Sequence, residues 1–89
     1  MITVKNIHGT GDSKGDWLEK WKTANGYRPS DSVHCCVQGC PYRATDGAHV
    51  MKDGSGKRQF IVPMCHSHNL TYDIELSVYN WANPMPIVP

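Results

Sequence analysis

Four side chains that can bind a soft or borderline metal ion lie in two separate pairs. The first pair comes from the segment Cys35-Cys36-Val37-Gln38-Gly39-Cys40, and the second is Cys65 with His68. Because residues at i and i+3 can share one face of a first helical turn, Cys65 and His68 can bind the same ion. Structural Zn²⁺ takes cysteine sulfur and histidine nitrogen from four ligands in a closed tetrahedral site. The sequence therefore predicts a structural zinc site.

The first pair contains an ambiguity, because Cys35 and Cys36 are adjacent and we expect only one of them to bind the metal. Both Cys35-x4-Cys40 and Cys36-x3-Cys40 have spacings that zinc sites use. The alternative to a zinc site is that Cys65 is a buried thiol and His68 an exposed helix residue. A second alternative, two disulfides in a secreted domain, fits less well because Cys65 pairs by spacing with a histidine.

Size and composition explain why the chain would need a metal. It has 89 residues, of which 39% are apolar, with one phenylalanine and three tryptophans. This length suits one domain, and a domain this small often needs a metal, disulfides or oligomerisation for stability. We expect the three tryptophans to form much of the core. Bound zinc would add its binding free energy to the folding free energy.

Charge and hydropathy exclude some classes of function. Nine basic and eight acidic residues give a net charge of +1, so the chain lacks the strongly basic composition of a protein that binds nucleic acid mainly through charge. No apolar run has membrane-spanning length, and no secretory signal is visible at the N-terminus. We therefore expect a cytoplasmic protein without membrane contact. In that reducing compartment, clustered cysteines favour metal over disulfides.

The N-terminal part of the chain predicts a strand, a loop and a helix. Residues 2–7 are short and β-branched, which favours a strand. A glycine-rich turn follows at 9–15, and residues 16–25 form a helical pattern. Trp17 and Trp21 lie four residues apart on one apolar face of that helix, and we expect both to pack in the core.

The C-terminal part predicts a β-hairpin, a helix and a further strand. The hairpin comprises strands at 47–51 and 57–62. A helix of about two turns is expected from Cys65 to Tyr72. Residues 74–79 alternate apolar and polar side chains, which favours a strand, although the helix could instead continue through Leu76. The proline-rich tail at 83–89 is predicted to be an extended edge or a loose end.

The order of these elements predicts the fold class. The turn from Cys35 to Cys40, which we call the cysteine knuckle, is followed by a β-hairpin and then by a helix whose first turn carries the second ligand pair. Treble-clef zinc domains have their elements in this order. We therefore predict an α+β fold that forms a single zinc-binding domain over residues 1–89. Its core would lie at about 33–72, after an N-terminal strand and helix.

Three segments resemble a known family. Cys35-x4-Cys40, Gly47-Ala48-His49-Val50 and the run from Ile61-Val62-Pro63-Met64-Cys65 to His68-Asn69 look like the zinc-bearing form of the HNH endonuclease fold. More narrowly, they resemble a group of small bacterial and phage proteins with a GAHV…IVPxCxxHN signature. The resemblance implies that Cys35, rather than Cys36, is the ligand beside Cys40, Cys65 and His68.

The resemblance also implies a candidate catalytic pair. His49 lies where the nucleases have their general base, and Asn69 lies where they bind a catalytic Mg²⁺ or Mn²⁺ ion. Three supporting features differ from the family: Phe60 replaces an asparagine, and Ala48 replaces the usual acidic or histidine neighbour of the base. The phosphate-contacting lysine that often follows the helical metal ligand is also absent from residues 70–75. Because such supporting residues affect the rate strongly, we interpret the chain as non-catalytic.

Two functional hypotheses follow. The first is a non-enzymatic zinc module that binds a protein partner or nucleic acid, for example as an inhibitor or regulator encoded by a phage or mobile element. Contacts to nucleic acid would come from four basic residues around the hairpin, namely Arg43, Lys52, Lys57 and Arg58. The alternative is a metal-dependent HNH-type endonuclease with His49 as its base.

Overall fold

A computed structural model of the chain describes residues 1–7 and 16–87. The turn predicted at 9–15 lies outside these residues. The elements in chain order are β1 (Ile2–Asn6), α1 (Asp16–Ala24), β2 (Asp46–Lys52), β3 (Gln59–Met64), α2 (His66–Asn69), β4 (Leu76–Val78), a 3-10 helix (Asn80–Ala82) and β5 (Met85–Pro86). The predicted α+β class is confirmed.

The described strands form one antiparallel sheet in the order β4-β1-β2-β3-β5. Its centre is the predicted hairpin of β2 and β3, in which Ala48 pairs with Val62 and Asp46 pairs with Met64. β3 begins and ends two residues later than the sequence predicted, so it runs up to the residue before Cys65. The hairpin therefore leads the chain directly into the second ligand pair.

The helix after the hairpin is shorter than predicted. α2 ends at Asn69, so the predicted second turn to Tyr72 is wrong, and so is the alternative of a helix through Leu76. Buried Asn6 of β1 explains the early end, because its Nδ2 donates to the carbonyl oxygens of His68 at 2.8 Å and Thr71 at 2.7 Å. These bonds hold the chain beside β1, and it then enters β4, as the alternating pattern predicted.

The two faces of the sheet carry different structures. Because side chains alternate along a strand, Gly47 and His49 of β2 lie on one face, while Ala48 and Val50 lie on the other. α1 covers the first face so closely that a Cβ on Gly47 would lie 2.6 Å from the backbone nitrogen of Leu18. The second face packs against the cysteine segment and α2. We call these the α1 face and the knuckle face.

The tryptophans follow the prediction only in part. Trp21 of α1 is fully buried with Val33 and Ile61, and Trp17 packs partly buried against the same cluster. The Nε1 of Trp21 donates to the carbonyl oxygen of Ala82 at 2.8 Å, which connects α1 to the C-terminal part of the chain. Trp81 remains 42% exposed, so the expectation that all three tryptophans form the core is wrong for this residue.

Within the described part of the tail, to residue 87, Met85–Pro86 forms a strand at the sheet edge, in agreement with one of the two predicted alternatives. Met85 pairs with Ile61 and Pro86 pairs with Phe60, so β5 is the outer strand beside β3. The short strand and its proline limit further pairing at this edge, because proline has no backbone N–H to donate.

Candidate metal centre

The four predicted zinc ligands lie together on the knuckle face. Their sulfur and nitrogen atoms, from Cys35, Cys40, Cys65 and His68, are all within 4.8 Å of one another. The Sγ atoms of Cys40 and Cys65 are 3.9 Å apart, and Nδ1 of His68 lies 3.2 Å from Sγ of Cys65. Tetrahedral zinc with Zn–S bonds of about 2.3 Å places its ligand atoms roughly 3.5–3.8 Å apart. The cluster is therefore consistent with a zinc site.

Backbone hydrogen bonds hold the segment that carries the first ligand pair, both within the segment and to neighbouring residues. The N–H of Cys35 donates to the carbonyl of Tyr42 at 2.9 Å, and the N–H of Cys40 donates to the carbonyl of Val37 at 3.0 Å. Gly39 forms the turn between the cysteines with φ of +79°, a conformation that favours glycine. The N–H of Cys36 donates to Pro63, which joins this segment to β3.

The second pair is positioned by the start of α2. Cys65 is the N-cap of this helix, with an extended backbone, and its sulfur accepts a hydrogen bond from the backbone N–H of His68 at 3.5 Å. This arrangement places the thiol and the imidazole on the same side of one helical turn. One turn therefore suffices to present both ligands, and the longer predicted helix is not needed.

The structure shows which of the two adjacent cysteines belongs to the ligand cluster. Cys35 contributes its sulfur to the cluster and lies 3.6 Å from Nδ1 of His68, whereas Cys36 is a fully buried member of the apolar core outside the cluster. None of the four cysteines, all in the described part of the chain, forms a disulfide. The geometry therefore agrees with the ligand set that the resemblance implied.

Burial controls the protonation of the Cys35 and Cys36 thiols in the absence of metal. It raises the pKa of Cys35 to about 12, although the backbone N–H groups of Cys65 and Val37 act in the opposite direction. Burial and the neighbouring charge of Cys35 likewise raise the pKa of Cys36. A metal ligand must be a thiolate, so metal binding has to displace the proton from Cys35, and affinity is expected to fall as the pH is lowered.

A polar cluster beside the metal centre was not predicted from the sequence. Oδ2 of Asp46 accepts from Nδ2 of Asn69 and pairs with Nδ1 of His66, both at 2.9 Å. Burial alone would raise the pKa of Asp46, but the hydrogen bonds from His66, Asn69 and Thr45 outweigh it and lower the pKa. The cluster fastens α2 to β2. Asp46 lies 20 residues before His66, and no spacing in the sequence indicated that the two would pair.

The two predicted catalytic residues are not brought together. Asn69 hydrogen-bonds Asp46 on the knuckle face, while His49 lies on the α1 face. The His49 imidazole packs edge-on against the Trp17 ring, with centroids 5.1 Å apart and an interplanar angle of 81°. Because neighbouring residues of β2 alternate between faces, the sheet itself separates the imidazole from the Asn69 amide.

The environment of His49 gives a testable pH dependence. Burial lowers the pKa of His49 below its ordinary value of 6.5, because it disfavours the charged imidazolium. The unfolded chain therefore binds this proton more readily. The stability contributed by neutral His49 is fully present above about pH 6.5 and is lost as the pH falls through the folded pKa.

We expect an NMR titration of the histidine ring protons to give His49 a midpoint below 6.5. Replacing Trp17 with alanine should move this midpoint back toward 6.5, because it exposes the imidazole. Zinc content would be measured at each pH as a control. A midpoint at or above 6.5 in the unmodified protein would contradict the packed position of His49.

No protein-family model, curated protein sequence or solved structure matches this chain. Within residues 1–7 and 16–87, no helix has the length and apolar character needed to cross a membrane.

Proposed function

We propose that this protein is a zinc-stabilised binding module of the treble-clef, HNH-like type, without catalytic activity. The observation that carries the proposal is the group of four ligand atoms within 4.8 Å, contributed by Cys35, Cys40, Cys65 and His68. The order of cysteine knuckle, β2–β3 hairpin and α2 supports the treble-clef assignment. The partner of the module is a protein or a nucleic acid.

Zinc fits this cluster as a structural ion. Three sulfurs and one imidazole nitrogen complete a tetrahedral set, which leaves no open position for water or substrate. The ligands connect the knuckle to the end of the hairpin and to α2. The short α2 has no buried residue of its own, so the metal bonds to Cys65 and His68 would supply much of the energy that keeps it in place.

The separation of His49 from Asn69 supports a non-catalytic role. Hydrolysis of a phosphodiester by an HNH-type route needs a base and a cation-binding group that both reach the same phosphate. Here the β-sheet lies between the two side chains, and the amide of Asn69 already donates to Asp46. The His49 imidazole packs against Trp17, and this contact gives it a structural role that does not require catalysis.

The proposal predicts one zinc per chain and no nuclease activity. Elemental analysis of the purified protein would measure zinc, and incubation with supercoiled plasmid plus Mg²⁺ or Mn²⁺ would measure cleavage. We expect intact plasmid with both the wild type and His49→Ala at equal zinc content. Nicking by the wild type that disappears in zinc-loaded His49→Ala would contradict the non-catalytic assignment.

A further inference from the structure

A pocket of about 340 Å³ lies next to the metal centre. It is formed where the loop after α1, the cysteine knuckle and the 3-10 helix meet. Its wall includes three aromatic residues, Tyr27, Tyr79 and Trp81, and two polar residues, Ser32 and His34. We call this the aromatic pocket. Its volume is within the range of pockets that bind small ligands.

The aromatic side chains of the pocket are held in place but stay accessible. Tyr27 is 39% exposed and Trp81 is 42% exposed. The chain has few large apolar residues, yet it leaves these two rings partly outside its core. The Tyr27 ring stacks on buried Trp21 with centroids 5.5 Å apart. Tyr79 lies nearly parallel to Trp81, and its hydroxyl accepts from the N–H of Gly39 at 3.1 Å. Rings positioned in this way can stack on a planar ligand without prior rearrangement.

The charges around the pocket favour an anionic ligand. Arg43 donates to Oγ of Ser32 in the pocket wall at 2.9 Å, and Lys22 donates to the carbonyl of Pro29 in the adjoining loop. The one acidic residue in that loop, Asp31, is paired with Arg28 at 3.4 Å. Among the described residues that line the pocket, none carries a carboxylate. These charges disfavour a cationic ligand and suit a phosphate beside the rings.

We propose that the aromatic pocket binds a base of a single-stranded nucleic acid. The base would stack on Trp81 and Tyr27, and Arg43 would contact the adjacent phosphate. This inference rests on the proposed function and assigns its partner class. Aromatic stacking tolerates any base and does not need a strongly basic protein, which is compatible with the net charge of +1. The zinc site supports the pocket because Cys35 and Cys40 belong to its wall.

The first test measures binding of zinc-loaded protein to fluorescein-labelled 12-residue oligothymidine and oligouridine by fluorescence anisotropy. We expect Trp81→Ala to raise the Kd roughly tenfold or more, which is the size of the loss of one base–aromatic stack. The matched control is Ile74→Ala, which truncates another apolar side chain, 56% exposed, outside the pocket. The two oligonucleotides show whether DNA or RNA is preferred.

The second test removes one positive charge beside the pocket and, as a control, one positive charge away from it. We expect Arg43→Gln to weaken binding several-fold and to reduce the salt dependence of the Kd by about one phosphate contact. Lys5→Gln removes the same charge from an exposed position of β1 outside the pocket and should change the Kd little. Equal losses in the two variants would indicate charge-driven binding and would overturn the pocket assignment.

Ultraviolet crosslinking gives a direct readout. An oligonucleotide with 5-iodouracil should crosslink to Trp81, Tyr27 or Tyr79, as mapped by peptide mass spectrometry. Crosslinks confined to the β2–β3 turn would contradict the proposal.

Zinc analysis on the same preparation distinguishes a failure of the pocket proposal from a failure of the zinc-module proposal. Zinc-loaded protein that binds neither oligonucleotide would overturn the nucleic-acid assignment, favour a protein partner and leave the zinc module intact. Metal-free protein that still binds through Trp81 would support the pocket and contradict the proposed zinc module.

Discussion

Replacing Cys65 with alanine is expected to abolish zinc binding and to leave the chain without a stable fold. Cys65 contributes a ligand atom to the cluster and also caps α2, so one substitution removes two contacts of the same helix. Structural zinc contributes on the order of 10 kcal/mol in small domains, which is comparable to the whole stability of a typical protein. Zinc analysis and far-UV circular dichroism would measure the loss.

The control for this prediction is another buried cysteine. Cys36 is fully buried but outside the ligand group, so Cys36→Ala should retain zinc and lower the free energy of unfolding by roughly 1 kcal/mol, the cost of a small core truncation. Cys35→Ala should behave like Cys65→Ala. The reverse pattern, with zinc lost in Cys36→Ala and kept in Cys35→Ala, would show that the ligand set is wrong.

Replacing Trp21 with alanine is expected to be the most damaging change away from the metal. Trp21 is completely buried, and its Nε1 satisfies the carbonyl of Ala82. Truncation of a buried tryptophan costs about 3–5 kcal/mol, and the unpaired carbonyl adds to this cost. In a domain of this size, we expect a large fall in the denaturant midpoint or complete unfolding.

Trp81 supplies the matched control. Its ring is 42% exposed, so Trp81→Ala should lower the free energy of unfolding by about 1 kcal/mol or less. Urea denaturation followed by circular dichroism would measure both variants. A loss for Trp81→Ala as large as that for Trp21→Ala would show that Trp81 belongs to the core rather than to an accessible pocket.

The sequence predicted the ligand cluster because the relevant information is local. Cys35 and Cys40 belong to one turn, Cys65 and His68 belong to another, and a simple hairpin connects them. The strand and hairpin predictions succeeded for the same reason, since alternation and turn residues report on neighbouring positions.

Features that depend on distant contacts were missed. The end of α2 is set by Asn6, which lies 62 residues before His68 in sequence. Whether His49 and Asn69 share a cleft depends on which faces of the sheet α1 and α2 cover. The spacing of residues in the sequence does not predict this. Trp81 resembles a core residue in sequence, because an apolar ring gives the same signal in a core as in an exposed pocket.

Native mass spectrometry of the purified chain, before and after treatment with a strong chelator, tests the central claim most directly, because one spectrum reports both metal content and compactness. We predict compact, low-charge ions carrying one zinc, which become metal-free and highly charged after chelation. Compact ions that carry no metal, or that stay compact once zinc is removed, would contradict the claim that a metal ion bound by Cys35, Cys40, Cys65 and His68 holds this domain together.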